Sequence, residues 1–139
     1  MSAHTTPYGI STILPLPYAR AVERTKEALA TEGFGVLSEI DVSATMKKKL
    51  GVNFRPYVIL GACNPPLAHQ ALVAEREIGL LLPCNVIVYA ADAPGQSVVA
   101  VLDPVRAMQL SGNDAIKPIA EAVKARLMRM LAALERPAG

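Results

Sequence analysis

Hydrophobic and polar positions along the chain change period several times, and each change predicts an element. Tyr8 to Leu14 alternates, as a strand does, and Pro17 then suits the first turn of a helix. The inner stripe of that helix is Tyr18, Val22, Thr25 and Leu29, and Gly33 caps its end. Phe34 to Val42 is a second strand. Asp41 or Ser43 can cap the short helix after it, which carries Met46 and Leu50 and stops at Gly51. Tyr57 to Cys63 is a nearly continuous apolar run, expected of a central strand covered on at least one face.

Asn64 is a good N-cap with Pro65 at the first helical position, which starts a helix through Leu67, Ala71 and Leu72 to about Glu75. Ile78 to Leu82 is expected to be extended. Val86 to Ala91 and Ser97 to Leu102 flank Asp92-Ala93-Pro94-Gly95, the turn chemistry of a hairpin. Asp103 to Leu110 forms a helical turn ending at Gly112. A last helix, about 116–135, places Ile119, Val123, Leu127, Met130 and Leu134 on one face and ends at Arg136-Pro137. There is no internal repeat and no linker, so residues 1–139 are read as one domain. Its fold class is α/β (α+β): two layers, a mixed sheet with helices packed on it.

Composition narrows the function classes. Hydrophobic residues make up 52% and charged residues 19%, which excludes a disordered polyelectrolyte and leaves apolar surface for a partner, expected to be a second copy in a twofold homodimer. The net charge is only +2, without the basic excess of nucleic-acid binders, and aromatic residues at 4% are too few for base-stacking platforms. Pro15 and Pro17 interrupt the first apolar run, and no basic stretch precedes it, so neither a signal peptide nor a spanning helix is expected. The expected location is the cytoplasm, where thiols stay reduced.

Candidate chemistry gathers in YVILGACNPPLAHQALVAEREIGLLLPCN, Tyr57 to Asn85, which holds both cysteines, each beside a proline and an asparagine. If the chain breaks at Pro83, a descending helix and an ascending return bring Cys84 back to the level of Cys63, and the two thiols share a cavity rimmed by Asn64 and Asn85. If one strand instead runs unbroken from Leu80 to Ala91, Cys84 lies at the far end and that site vanishes. Such a cavity suits a small ligand or a soft metal such as Cu(I). The competing chemistry is a thiol-dependent enzyme in redox or sulfur handling, with Cys63 before a helix N-terminus as nucleophile and Cys84 as resolving partner. No nucleotide-binding, hydrolase or Cys-x-x-Cys motif occurs, and no general base is matched to a nucleophile. His69 reads as a surface histidine. Lys49 and Glu77 are the charged candidates, as an ion pair or an acid/base couple.

The segments GFGVLSEIDV, KKKLGVNFRPYVILGACNPPLAHQAL and EIGLLLPCNVIVY resemble the bacterial and archaeal family called domain of unknown function 302, from about Ala19 to Pro104. The resemblance implies a small α/β fold, dimeric, with no established activity. Its pattern falls on Lys49, Tyr57, Cys63, Asn64, Pro65, Glu77, Pro83, Cys84 and Asn85. The ligand-binding candidates are therefore Cys63, Asn64, Cys84, Asn85, Lys49, Glu77 and Tyr57. Ligand, cofactor and reaction stay unnamed.

Overall fold

Five strands, β1 (Gly9–Leu14), β2 (Gly35–Asp41), β3 (Tyr57–Cys63), β4 (Cys84–Ala90) and β5 (Ser97–Leu102), pair in the order β1-β5-β4-β3-β2 in the computed structural model, which describes residues 6–136. Helices α1 (Tyr18–Thr31), α2 (Val42–Leu50), α3 (Pro65–Ala74), α4 (Pro104–Met108) and α5 (Lys117–Glu135) complete the α+β domain.

Every strand pair is antiparallel, so the expected mixed sheet is corrected. The reason lies in the connections. After β3, α3 descends about 15 Å and a six-residue 3-10 segment, Arg76–Leu81, climbs back about 12 Å. The chain thus re-enters the sheet at the end where it left. A parallel crossover would have re-entered at the opposite end. The same segment corrects the expected extended run from Ile78 to Leu82. Its i to i+3 turns, Ile78 N–H to Glu75 O at 3.1 Å and Leu82 N–H to Gly79 O at 3.2 Å, bury Ile78 against Ala71 and Ile116. An extended chain, with its side chains alternating, would split that cluster.

The ends of the helices follow the capping chemistry of the sequence. Gly33, at φ +82°, closes α1 as Phe34 N–H reaches back to Leu29 O at 3.0 Å, the left-handed closure that glycine favours. Asp41 Oδ1 accepts from Ala44 N–H at 2.9 Å and starts α2, which stops at Gly51. The buried stripe of α1 is Ala21, Thr25, Ala28 and Leu29, with Tyr18 and Val22 at its half-buried margin.

One face of the sheet meets α1 and α5. Leu60, Val86, Val88, Val99 and Val101 pack there with Leu29, Leu127 and Met130 in the main core. The second half of α5 supplies the buried residues of that core, and Val123 packs against its margin. The first half of α5, with Ile119, Ala120 and Val123, faces the strand ends and α3. Among the described residues no helix is long and apolar enough to cross a membrane.

Candidate functional site

The site forms where β3 ends and β4 begins. Asn64, directly after β3, accepts Leu67 N–H on its side-chain oxygen at 3.3 Å and caps α3. Its amide reaches Glu32 O at 3.5 Å, so the residue ties the start of α3 to the end of α1. Arg126 donates to the same carbonyl at 3.2 Å, and Arg129 pairs with the Glu32 carboxylate at 2.9 Å. Asn64 is buried, and its polar atoms are committed to positioning α3.

Between α3, the 3-10 segment, α4, the first half of α5 and the strand ends lies a cavity of about 460 Å³. Leu67, Ala68, Met108, Ile119 and Val123 form much of its wall, with Ala62, Cys63 and Cys84 at the strand ends. Among the described residues no Lys, Arg, His, Asp or Glu lines it. Leu37 and Ser38, brought to its edge by a bulge in β2, and the exposed Leu72 mark where the wall meets solvent.

Both cysteines line this cavity and both are free thiols. Ala62 is the cross-strand partner of Cys84, so Cys63 lies one residue beyond, with the two Cα atoms about 6 Å apart. Alternation along the strands aims neighbouring side chains at opposite faces of the sheet. Cys84 therefore turns toward the core, whereas Cys63 is half-buried at the strand end. Burial, and after it the Asp103 carboxylate, push the Cys84 thiol up to about 11, and its sulfur lies 4.0 Å from Leu102 O. Burial would raise Asp103 too. Lys124 Nζ at 2.9 Å and the N–H groups of Arg106 and Val105 outweigh it and hold that carboxyl below its ordinary value. Asp103 also starts α4 with Pro104 at the first helical turn, as Asn64 and Pro65 start α3.

The remaining candidates are dispersed. Asn85 pairs with Gly61 and is exposed on the face of the sheet away from α1 and α5, and it takes no part in the cavity rim expected of it. Tyr57 stands at the opposite end of β3, about 20 Å along the strand from Cys63, where its ring stacks on Tyr89 at 5.3 Å. Lys49 is exposed on α2 at that same far end, and Glu77 is exposed on the 3-10 segment at the cavity end. The expected Lys49–Glu77 couple is corrected: among the described residues neither carries an ion pair, because α2 packs on β2 and β3 whereas the 3-10 segment packs on α3, and both side chains point to solvent. His69 is exposed on α3, and among the described residues no group of three or more His, Cys, Asp and Glu could hold a metal ion. His4 lies outside the described residues.

Sequence reasoning missed the Asp103–Lys124 pair behind Cys84 and the contribution of α4 and α5 to the cavity. The repeated Asx-Pro start of α3 and α4 was the available signal for the first, since it places a carboxylate at a second helix start beside the site.

None of the curated proteins matches the chain. Among solved structures, that of an uncharacterized conserved protein DUF302 from Bacillus stearothermophilus is similar at 29% identity, covering 94% of this chain and 100% of that one with a TM-score of 0.85. The sequence model described as domain of unknown function DUF302 matches residues 10–134. That match covers all five strands but for Gly9, together with the cavity between the strand ends and α5, and the chain belongs to this family.

Proposed function

We propose that the protein is a dimeric binding or sensory module, working in a reducing compartment such as the cytoplasm, whose cavity takes a small neutral and largely apolar molecule. The observation that carries this reading is the wall itself: about 460 Å³ lined mostly by apolar side chains, with no charged group among the described lining residues. A charged ligand would lose its hydration there and gain no counter-charge, a loss of several kcal/mol. An apolar one gains burial against the walls. Set against a dry cavity of about 150 Å³ that holds benzene, this volume corresponds to a ligand of about 18 heavy atoms.

The soft-metal and thiol-enzyme alternatives are weaker on the same ground. A Cys84 thiol pushed up to about 11 stays protonated at neutral pH and is a poor resolving group, and among the described residues no third His, Cys, Asp or Glu stands with the two thiols to complete a metal site. Cys63 and Cys84 supply the cavity's weakly polar patch and orient the ligand.

The test uses N-phenyl-1-naphthylamine, a neutral fluorescent probe of suitable size, beside its sulfonated relative 8-anilinonaphthalene-1-sulfonate. Saturable one-to-one binding of the neutral probe, at least tenfold tighter than the sulfonate and weakened by Val123→Trp, is expected. Native mass spectrometry of freshly purified protein reads any retained molecule. Equal affinity for the two probes, or no saturable binding of the neutral one, overturns the reading.

A further inference from the structure

The end of the sheet opposite the cavity carries α2 and the connection from α2 to β3. Residues 42–56 hold four basic side chains and no acidic one. No residue of α2 is buried, and every residue from 47 to 56 is exposed. A nine-residue helix has little stability of its own. This one is fixed at its ends, by the Asp41 cap at the start and by Gly51, at φ +67°, at the close. The fold therefore holds an ordered helix and its connection out in water.

Lys47, Lys48 and Lys49 fill the last turn of α2, and among the described residues none of them pairs with a carboxylate. Lys47 donates to Asn53 Oδ1 at 3.3 Å. Arg55 donates to Ala90 O at 3.0 Å and neutralises Asp92 at 2.9 Å. These contacts draw Asn53 and Arg55 back onto the protein. The residues that alternate with them stand in solvent: Leu50 is 68% exposed, Val52 45% and Phe54 47%. Behind them the Phe54 ring meets Tyr57 edge-on at 6.0 Å, and Tyr57 stacks on Tyr89. The helix dipole accounts for lysines in a last turn. It gives no reason for three large apolar side chains beside them.

We propose that this end of the protein docks on a bilayer surface rich in anionic lipid, with the lysines at the headgroups and Leu50, Val52 and Phe54 at the acyl boundary. The proposal is independent of the cavity reading, because the cavity lies about 20 Å away along β3. Charge and apolar reach select the occupant together. An anionic leaflet attracts each Lys or Arg near it by about fivefold in affinity. Apolar side chains that enter the boundary supply the second signal that lasting attachment needs. A second copy of the chain would set one lysine turn against another about a twofold axis, like charge on like. A nucleic acid would satisfy the lysines and leave Leu50 and Val52 in water.

The chain has no tryptophan, so Phe54→Trp places a single fluorophore at the tip. Vesicles of phosphatidylcholine with about 30% phosphatidylglycerol are expected to give a saturable blue shift that vesicles of phosphatidylcholine alone do not, weakened at least tenfold in about 1 M salt. Cosedimentation of the wild type with the same vesicles is expected to agree. Lys48→Gln combined with Lys49→Gln should weaken binding at least tenfold with unchanged far-ultraviolet circular dichroism; should that variant not fold, Val52→Ser decides by the same measure. Lys117→Gln, exposed at the start of α5, should leave binding unchanged. A wild type that ignores the anionic vesicles overturns the proposal, as does binding that the deciding variant retains or that Lys117→Gln weakens equally. Binding without a blue shift leaves the apolar tip in water, assigns the lysines to a soluble acidic partner, and overturns it too. So does emission already blue-shifted in buffer that reddens on dilution, which places a second copy on the tip.

Discussion

Ala68→Leu tests whether the space between α3 and α5 is open in solution. Ala68 lies on α3, is half-buried, and lines the cavity. Leucine adds three carbons there, and a buried methylene is worth about 0.8 kcal/mol, so complete burial of the addition would contribute about 2.4 kcal/mol. Immobilising the longer side chain costs about 0.5–1 kcal/mol. Ala and Leu are close in helix propensity, which leaves the helix itself nearly indifferent. Because Ala68 keeps some exposure, the expected net gain is about 1 kcal/mol. Were the same site close-packed, the added carbons would force neighbours off their rotamers and cost about 1–3 kcal/mol. The sign therefore separates the two cases without any ligand. Urea denaturation read by circular dichroism measures it, at protein concentrations where the association state of wild type and variant is the same. A lower midpoint at unchanged slope that amounts to a loss of about 1 kcal/mol or more refutes an open cavity. The same variant should weaken N-phenyl-1-naphthylamine, since the new carbons occupy space the probe needs.

Three further outcomes follow from the surroundings of the site. With Cys63 replaced by Ser, alkylation of Cys84 by iodoacetamide should be slow at neutral pH and keep rising tenfold per pH unit to pH 9.5; a plateau by pH 9 contradicts a thiol held at about 11, and Asp103→Asn should accelerate the reaction by removing the neighbouring charge. Asp103 is held below its unfolded value of about 3.9, so its contribution to stability is complete above that pH and is lost as pH falls through the folded value. Lys124→Met should accordingly lower stability at pH 7 by about 1–2 kcal/mol and flatten the acid limb of the stability profile; an unchanged acid limb would show that the pair adds nothing. Gly61→Ala should destabilise by about 1–3 kcal/mol, because its Cβ would strike Ser38 Oγ and come within 2.9 Å of Pro83 Cγ; Ser38→Gly should recover part of that loss in a double-mutant cycle, and strict additivity would deny the contact.

How much of the site could be read from the chain differs residue by residue. Asn64 was legible as a cap because its role is local, a side-chain oxygen meeting an N–H three residues on. Pro83 was legible as a break before β4 for the same kind of reason. Lys49, Glu77 and Asn85 were not placed correctly. Their spacing in sequence says nothing about which end of β3 each occupies, nor which face of β4 a side chain takes. The 3-10 segment escaped because Ile78, Leu81 and Leu82 carry an apolar pattern too short to distinguish an extended chain from a tight turn. Cys84 and Asp103 came together only through the β4–β5 pairing, across 19 positions of chain, and with them the cause of the raised thiol.

Apart from the 3-10 segment, the order and type of the elements, the caps at Gly33, Asp41, Gly51 and Asn64, and the hairpin before Ser97 were determined by the chain itself, because each depends on interactions within a few residues. The antiparallel direction of the whole sheet and the cavity at its strand ends were decided by tertiary structure. These depend on where helices end relative to strands and on which half of α5 reaches the sheet. Such distances accumulate over tens of residues and leave no trace in any local pattern.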